Sequence, residues 1–407
     1  MAEGRLLTRA FVLGFAANFL HSLSLHSYLH LPGFLQDLGA DALGIGIVMA
    51  TMSMSAIVLR PLVGRIIDER GRRVVVLVGG VVNILACLAY LTVETLGPWL
   101  YTIRVVHGLA QALLFSVLFT IAADVIPAAR RVEGIALFGI SGMIPLSLAG
   151  LIGDTILARG EYEHLFVFTA CAAAAGHAVG TALPDSRPPG SGDPARSFFR
   201  SVFAPPLLPI WVVGFGFSLA IASYFTFLKT WVLAREIGSV GGFFTAYTVA
   251  AVGLRVALGW LPDRIGPKRT LVPALVLLSA GVGVLSISEG ELGVIVAGAL
   301  CGTGHGYAFP ITSALVVSRA RASERGAALA AFTALFDLGL LVGGPTLGLL
   351  VTLTDYETMF AASGGVVLVG LAIFLVWDRP RRAVDAGPPG PTSARVSPDD
   401  EGRAPPP

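Results

Sequence analysis

Apolar runs of roughly 20 residues, the length a helix needs to cross the hydrocarbon core of a bilayer, recur along this 407-residue chain between short charged or Pro/Gly-rich breaks. The spacing predicts six membrane helices at 9–30, 42–62, 74–93, 98–122, 133–157 and 164–183. Six more follow at 209–231, 241–262, 270–288, 292–317, 326–353 and 359–377. The chain therefore reads as an all-α membrane protein with an N-terminal six-helix bundle (1–183) and a C-terminal one (209–378). Between them, 184–208 contains SRPPGSGDPARS and reads as a flexible cytoplasmic linker. The segment 379–407 has too little apolar content to fold and reads as a disordered cytoplasmic tail. No cleavable signal peptide is expected, because the first apolar run continues past signal length and carries Asn18 and His21.

Composition excludes other classes. Hydrophobic residues make up 55% and charged residues 13%, against about a quarter charged in soluble domains. A net charge of +2 argues against a nucleic-acid partner. Cys87, Cys171 and Cys301 all lie in apolar runs, read as small buried hydrophobes and suggest neither disulfides nor a metal site. No GxSxG, HExxH or GxxxxGK[ST] string occurs, so no enzyme activity or direct ATP hydrolysis is expected.

Charge then orients the helices. One set of alternate loops carries Arg5, Arg9, Arg65, Arg70, Arg72, Arg73, Arg130, Arg131, Arg264, Lys268, Arg269, Arg319, Arg321 and Arg325. The other set holds only Arg159 and Arg235, with Lys229 near a helix end, and gathers Asp37, Asp41, Glu94, Glu161, Glu163, Glu289, Glu291, Asp355 and Glu357. The arginine-rich side is read as cytoplasmic, which puts both termini there and the protein in the inner membrane. All five tryptophans fall near predicted helix ends, as an interfacial belt requires.

The halves carry a repeat. RPLVGRIIDERGRR (60–73) and RVALGWLPDRIGPKR (255–269) align at an offset of 195, matching Arg60 with Arg255, Gly64 with Gly259, Asp68 with Asp263 and Gly71 with Gly266. Gly64 is expected to let the second helix pack closely. Asp68 is expected near the start of the third helix, where the dipole favours a carboxylate, with Arg70, Arg72 and Arg73 able to pair with it. The loop reads as a conformational latch, with Gly259, Asp263, Arg264 and Gly266 as its second copy.

Gly64, Asp68, Gly71, Arg72 and Arg73 resemble the loop signature G-x-x-x-D-[RE]-x-G-R-[RK] of the major facilitator superfamily. The resemblance implies twelve helices in two pseudo-symmetric bundles that rock about a midplane site. It also implies a cavity lined by the first, fourth, seventh and tenth helices, and it leans towards the efflux-type branch. RVVHG in the fourth helix is similar to the superfamily pattern R-x-x-Q-G-x-G at Arg104 and Gly108, with His107 and Ala110 departing from it. Where that pattern is kept, its arginine is tied to proton coupling or substrate binding. The antiporter pattern of the fifth helix is largely lost: Pro145 remains, but Ile144, Leu148 and Ala149 replace its glycines.

Ionisable groups inside a membrane are functional candidates. Arg104, His107 and Gln111 share one helical face, and Asp337 sits near the midplane of the eleventh helix. Arg104, His107 and Asp337 are the proton-coupling candidates. Asn18, His21, Gln111, Tyr224, Tyr247, His305 and Tyr307 are the candidates for a substrate cavity. His21, His107 and His305 lie on three cavity helices, where they could titrate or bind an anion; metal ligation by these three lacks cysteine support. The expected function is a secondary active transporter of a small solute, running as a proton-coupled exporter without a cofactor, embedded in lipid and able to work as a monomer. An importer or uniporter of the same fold remains an alternative, as does a non-transporting membrane sensor or scaffold.

Overall fold

The computed structural model describes residues 6–127, 130–184, 202–321 and 325–378. The linker around 185–201 and the tail from 379 lie outside them, as do the side chains of Gly64 and Asp68. All regular structure among the described residues is helical. In the first half α1 spans Arg9–His26, a 3-10 turn Ser27–His30 and α2 Leu31–Asp37. Then come α3 (Ala42–Arg70), α4 (Arg72–Ala89), α5 (Pro98–Val125), α6 (Arg131–Leu157) and α7 (Tyr162–Thr181). The second half holds α8 (Leu208–Arg235), α9 (Val240–Leu258), the short α10 (Leu261–Ile265), α11 (Pro267–Ser286), α12 (Glu291–Arg319), α13 (Arg325–Leu353) and α14 (Tyr356–Trp377).

Eleven of these helices are long and apolar enough to cross a membrane; the short α2 and α10 are not, and among the longer helices α1 is the exception. Its window is interrupted by Asn18, His21, Ser22, Ser24 and His26, of which Asn18, His21 and Ser24 are buried. α1 packs on α5, α6 and α7. The first run was expected to stop at 30. Instead it bends through the 3-10 turn and continues as α2, with Pro32 in the first turn, where a missing N–H is harmless.

The second helix also outruns its predicted end at 62 and stops at Arg70. Charged residues end an apolar run without ending a helix; what ends this one is Gly71, at φ 89° and ψ 156°. Gly266 ends α10 at φ 98° and ψ 143°. Side-chain-bearing residues rarely adopt such angles, so the repeat preserves a shared glycine helix stop. This corrects the placing of Asp68, which belongs to the last turn of α3 rather than the start of the next helix.

Within the first half α4 packs on α5 and α7, and α3 on α5. Within the second, α12 packs on α9 and α11, and α8 on α13 and α14. Two long contacts join the halves, α3 with α13 and α6 with α9. Each pairs the second membrane helix of one half with the fifth of the other, as a duplicated chain with pseudo-twofold symmetry requires. Two sequence expectations need correction. Trp231 is fully buried against Phe360 instead of joining an interfacial belt, and Cys171 is exposed, unlike buried Cys87 and Cys301.

At the arginine-rich end Asp378 ties three helices together. It accepts from Arg319 Nη1 at 2.7 Å and Nη2 at 3.0 Å, and from Lys268 Nζ at 3.3 Å. Partial burial works to raise the carboxyl pKa, but Arg319 and Lys268 outweigh it and hold it below the ordinary value of 3.8. A depressed pKa stabilises the fold above that ordinary value, and the contribution is lost as pH falls through the folded-state value. Asp378→Asn should therefore lower the thermal unfolding midpoint at neutral pH by a small amount, about 1 kcal/mol or less for a solvent-accessible pair. The difference from the wild type should vanish in strong acid, which thermal unfolding of the detergent-solubilised protein would check.

Candidate functional site

Burying a polar group without a partner is costly, and several of those in the first half find one another. Arg104, only 2% exposed, donates from Nε to Val48 O at 3.2 Å, from Nη2 to Met49 O at 3.1 Å and from Nη1 to Tyr90 Oη at 3.4 Å. Tyr90 Oη lies 3.4 Å from His107 Nδ1. Gln111 Nε2 lies 3.4 Å from His107 Nε2 and donates to Asn83 Oδ1 at 3.1 Å. Asn83 Nδ2 closes the chain 3.5 Å from His21 Nδ1. An amide nitrogen only donates, so the tautomer with its proton on Nδ1, facing Tyr90, is the one that lets His107 Nε2 accept from Gln111. This relay joins α1, α4 and α5 inside one half, and its arginine also grips α3.

The second half builds a separate cluster. Tyr247 of α9 hydrogen-bonds His305 Nδ1 of α12. Phe217 lies edge-on to that imidazole at 5.2 Å between ring centroids, and Phe309 lies 6.0 Å away. Tyr224 is buried among Phe225, Phe243, Phe244 and Tyr247. Tyr307 Oη donates to Leu258 O at 2.6 Å. Arg255 of α9 donates from Nε to Gly306 O of α12 at 3.1 Å.

A third set of contacts crosses between the halves along α6 and α9. Near the acidic end Asp154 Oδ2 accepts from Gly241 N at 2.6 Å, putting a carboxylate on the first turn of α9. Its Oδ1 lies 4.0 Å from Lys229 Nζ of α8 and 3.8 Å from His30 Nδ1. Further along, Ser147 Oγ meets Thr245 Oγ1 at 2.9 Å, and Thr248 Oγ1 donates to Met143 O at 3.2 Å. Beyond these, a Cβ built on Gly139 would come within 3.8 Å of Arg255 Nη1.

Backbone contact between the halves has a definite polarity. A Cβ on Gly46 would fall 2.1 Å from Gly344 O, one on Gly348 2.4 Å from Ala42 O, and one on Gly150 3.0 Å from Gly241 Cα. Among the described residues, every glycine whose Cβ would strike the backbone of the opposite half lies towards the acidic end. The two halves are thus closed against each other at that end.

The residues expected to share one cavity are therefore divided. His21 and His107 belong to the relay of the first half, with Gln111 between them, while His305 belongs to the cluster of the second. Asn18 Nδ2 donates to Ser141 Oγ at 2.7 Å and ties α1 to α6. Asp337 is half-buried on α13. Of the expected latch, Arg70 is exposed, Arg72 Nε donates to Asp124 Oδ2 of α5 at 3.2 Å, and Arg73 Nη2 to Thr181 O of α7 at 3.0 Å. Gly259, Asp263 and Arg264 are exposed, and Arg264 lies over the Trp260 ring. These contacts of Arg72 and Arg73 brace the first half internally.

Residues 10–243 and 230–398 match the family model described as Major Facilitator Superfamily. The chain belongs to the major facilitator superfamily. It is a multi-pass membrane transporter of that type. The relative named "Uncharacterized MFS-type transporter YhhS" of Escherichia coli K12 is 25% identical over 381 residues, covering 89% of this chain and 90% of its own. Among solved structures, a POT family transporter in complex with a thioalcohol-conjugated peptide superposes with TM-score 0.76 at 14% identity, over 91% of this chain and 96% of that one. The nucleoside transporter NupG gives 0.71 at 14% identity, over 92% and 100%. At such identities the superpositions establish the superfamily fold.

Sequence reasoning passed over His30, Asp154, Lys229 and Arg255 as site residues. A signal was present for Asp154, a carboxylate inside the apolar run 133–157. Arg255 had been noted only as the repeat partner of Arg60.

Proposed function

We propose that this superfamily member is a secondary active transporter of a small solute in the cytoplasmic membrane, coupled to protons and working as an exporter by alternating access. The observation that carries the reading is the polarity of the interface. Two long helix pairs join the halves, and among the described residues their close glycine contacts lie at one end. A pair of bundles closed at one end by small residues can rock to close at the other. The arginine-rich loops support a cytoplasmic placing of both termini, which makes this conformer closed to the outside.

Asp337 is the proton carrier in this reading. It lies about 24 Å from the acidic end of α13 at 1.5 Å per residue, on a helix that packs against α3 of the other half. Arg104 and His107 act more indirectly, by holding α3 and α4 on α5. Export direction rests on the efflux-type sequence resemblance.

Proteoliposomes with a pH-sensitive dye inside test the coupling. Adding a transported solute should move protons in the wild type, and Asp337→Asn should reduce that movement to background while solute exchange persists. Proton movement unchanged by Asp337→Asn would remove the carrier assignment. Solute flux with no proton movement at all would make the protein a uniporter.

A further inference from the structure

We propose that Arg255 anchors a site on the seam between the halves for the acidic group of an amphipathic organic anion, a carboxylate or phosphonate bearing an aromatic or alkyl body. This rests on the transporter reading above and names its cargo.

Pro310 interrupts the hydrogen-bond ladder of α12. A proline has no N–H, so within α12 the carbonyl four residues earlier, that of Gly306, has no helical partner. Arg255 Nε takes that carbonyl at 3.1 Å. The bond uses one edge of the guanidinium and fixes its orientation. Nη1 and Nη2 then have no hydrogen-bond or ion-pair partner among the described residues. Two terminal nitrogens held in this way form the fork that matches two oxygens of a carboxylate or phosphonate.

Arg255 lies in the last turn of α9, about 22 Å from its acidic end, and Gly306 lies about as far into the longer α12. A neutral donor would suffice to satisfy one carbonyl. The guanidinium faces Gly139 of α6, where no side chain intrudes, on the seam between the halves. His305, next to Gly306, is half-buried, as are Phe309 and Phe336; Phe309 lies 6.0 Å from His305 and 5.8 Å from Phe336 by ring centroids. They offer the apolar body a wall, while a cationic solute would meet Arg255 as a like charge.

The test uses four probes with one ring system: 1-naphthoate, 1-naphthylphosphonate, 1-naphthamide and 1-naphthylmethylammonium. Binding to the purified full-length protein is measured calorimetrically, and uptake in proteoliposomes. Both acids should bind, with the amide and the ammonium about tenfold or more weaker. Arg255→Gln should weaken the acids by about ten- to a hundredfold, the usual range for charged hydrogen bonds, towards the affinity of the amide. Arg255→Lys should recover part of the loss, because a point charge lacks the fork. Pro310→Ala returns the Gly306 carbonyl to its helix, and the acids should weaken because the guanidinium is no longer held. These last two variants carry the test if Arg255→Gln does not fold.

Acids that bind no better than the amide, acids that bind Arg255→Gln like the wild type, or no binding by any probe would overturn the site. Acid-selective binding without uptake would keep the site and overturn the transporter reading. Uptake unaffected by Arg255→Gln would do the reverse.

Discussion

Gly46→Val should abolish solute flux in proteoliposomes while leaving a folded, monodisperse protein. Even a first carbon on Gly46 would lie 2.1 Å from the Gly344 carbonyl oxygen, and valine adds two more. The opposing atom is backbone and cannot rotate away. Overpacking of this kind costs about 1–3 kcal/mol. In a rigid core that cost would fall on folding. Here it falls on the closed acidic end alone, because Gly46 and Gly344 belong to different halves. Each 1.4 kcal/mol shifts a two-state population about tenfold, so the end-closed state should fall by about one to two orders of magnitude. The matched control is Gly365→Val on α14, where an added Cβ meets nothing within 4 Å and transport should persist. Normal flux through Gly46→Val would mean that this end never needs to close.

Arg104→Met should reduce transport severely with a smaller effect on stability. Methionine keeps much of the length and removes the charge, so the grip of α5 on Val48 and Met49 of α3 is lost. Hydrogen bonds from a charged donor are worth about 1.5–3 kcal/mol each, but the desolvation cost of a buried arginine disappears with them. A net loss of about 2 kcal/mol or less is expected in thermal unfolding. Function should suffer more, since α3 also carries Gly46 and its seating depends on this clamp. Arg104→Lys should rescue little, because one ammonium cannot reach three acceptors spread over α3 and Tyr90. If Arg104→Met instead keeps solute exchange and loses only proton coupling, the relay itself carries protons. Wild-type flux in both variants would dismiss the clamp.

Much of the fold was legible in the apolar runs, because every membrane helix must satisfy its own backbone. The exceptions have local causes. α1 hides its polar stripe against three neighbours, and α3 runs past its apolar segment to the first residue that must adopt positive φ, Gly71. The repeat was legible for the same reason, since Gly71 and Gly266 do the same conformational work. The site was less legible. Periodicity places Arg104, His107 and Gln111 on one face, but helix rotation decides whether that face meets the seam or its own bundle. Tyr224 and Tyr247 turned inward in the same way. Asp154 finds Gly241 and Lys229 across the seam, a pairing that only the packing of α6 on α9 creates. Arg255 was hidden differently. Pro310 announces an orphan carbonyl at Gly306, but nothing local says that an arginine 51 residues earlier in the sequence will fill it.

Alternating access is tested most directly by paired spin-label distances at the two ends of the molecule, in a background where exposed Cys171 is replaced by serine. One pair, at exposed Glu94 and Glu289, reports on the acidic end; the other, at exposed Ala182 and Arg269, reports on the arginine-rich end. The account predicts that introducing Gly46→Val lengthens the first distance and shortens the second, because the halves rock as bodies. A longer first distance with the second unchanged, or no change in either, would contradict it.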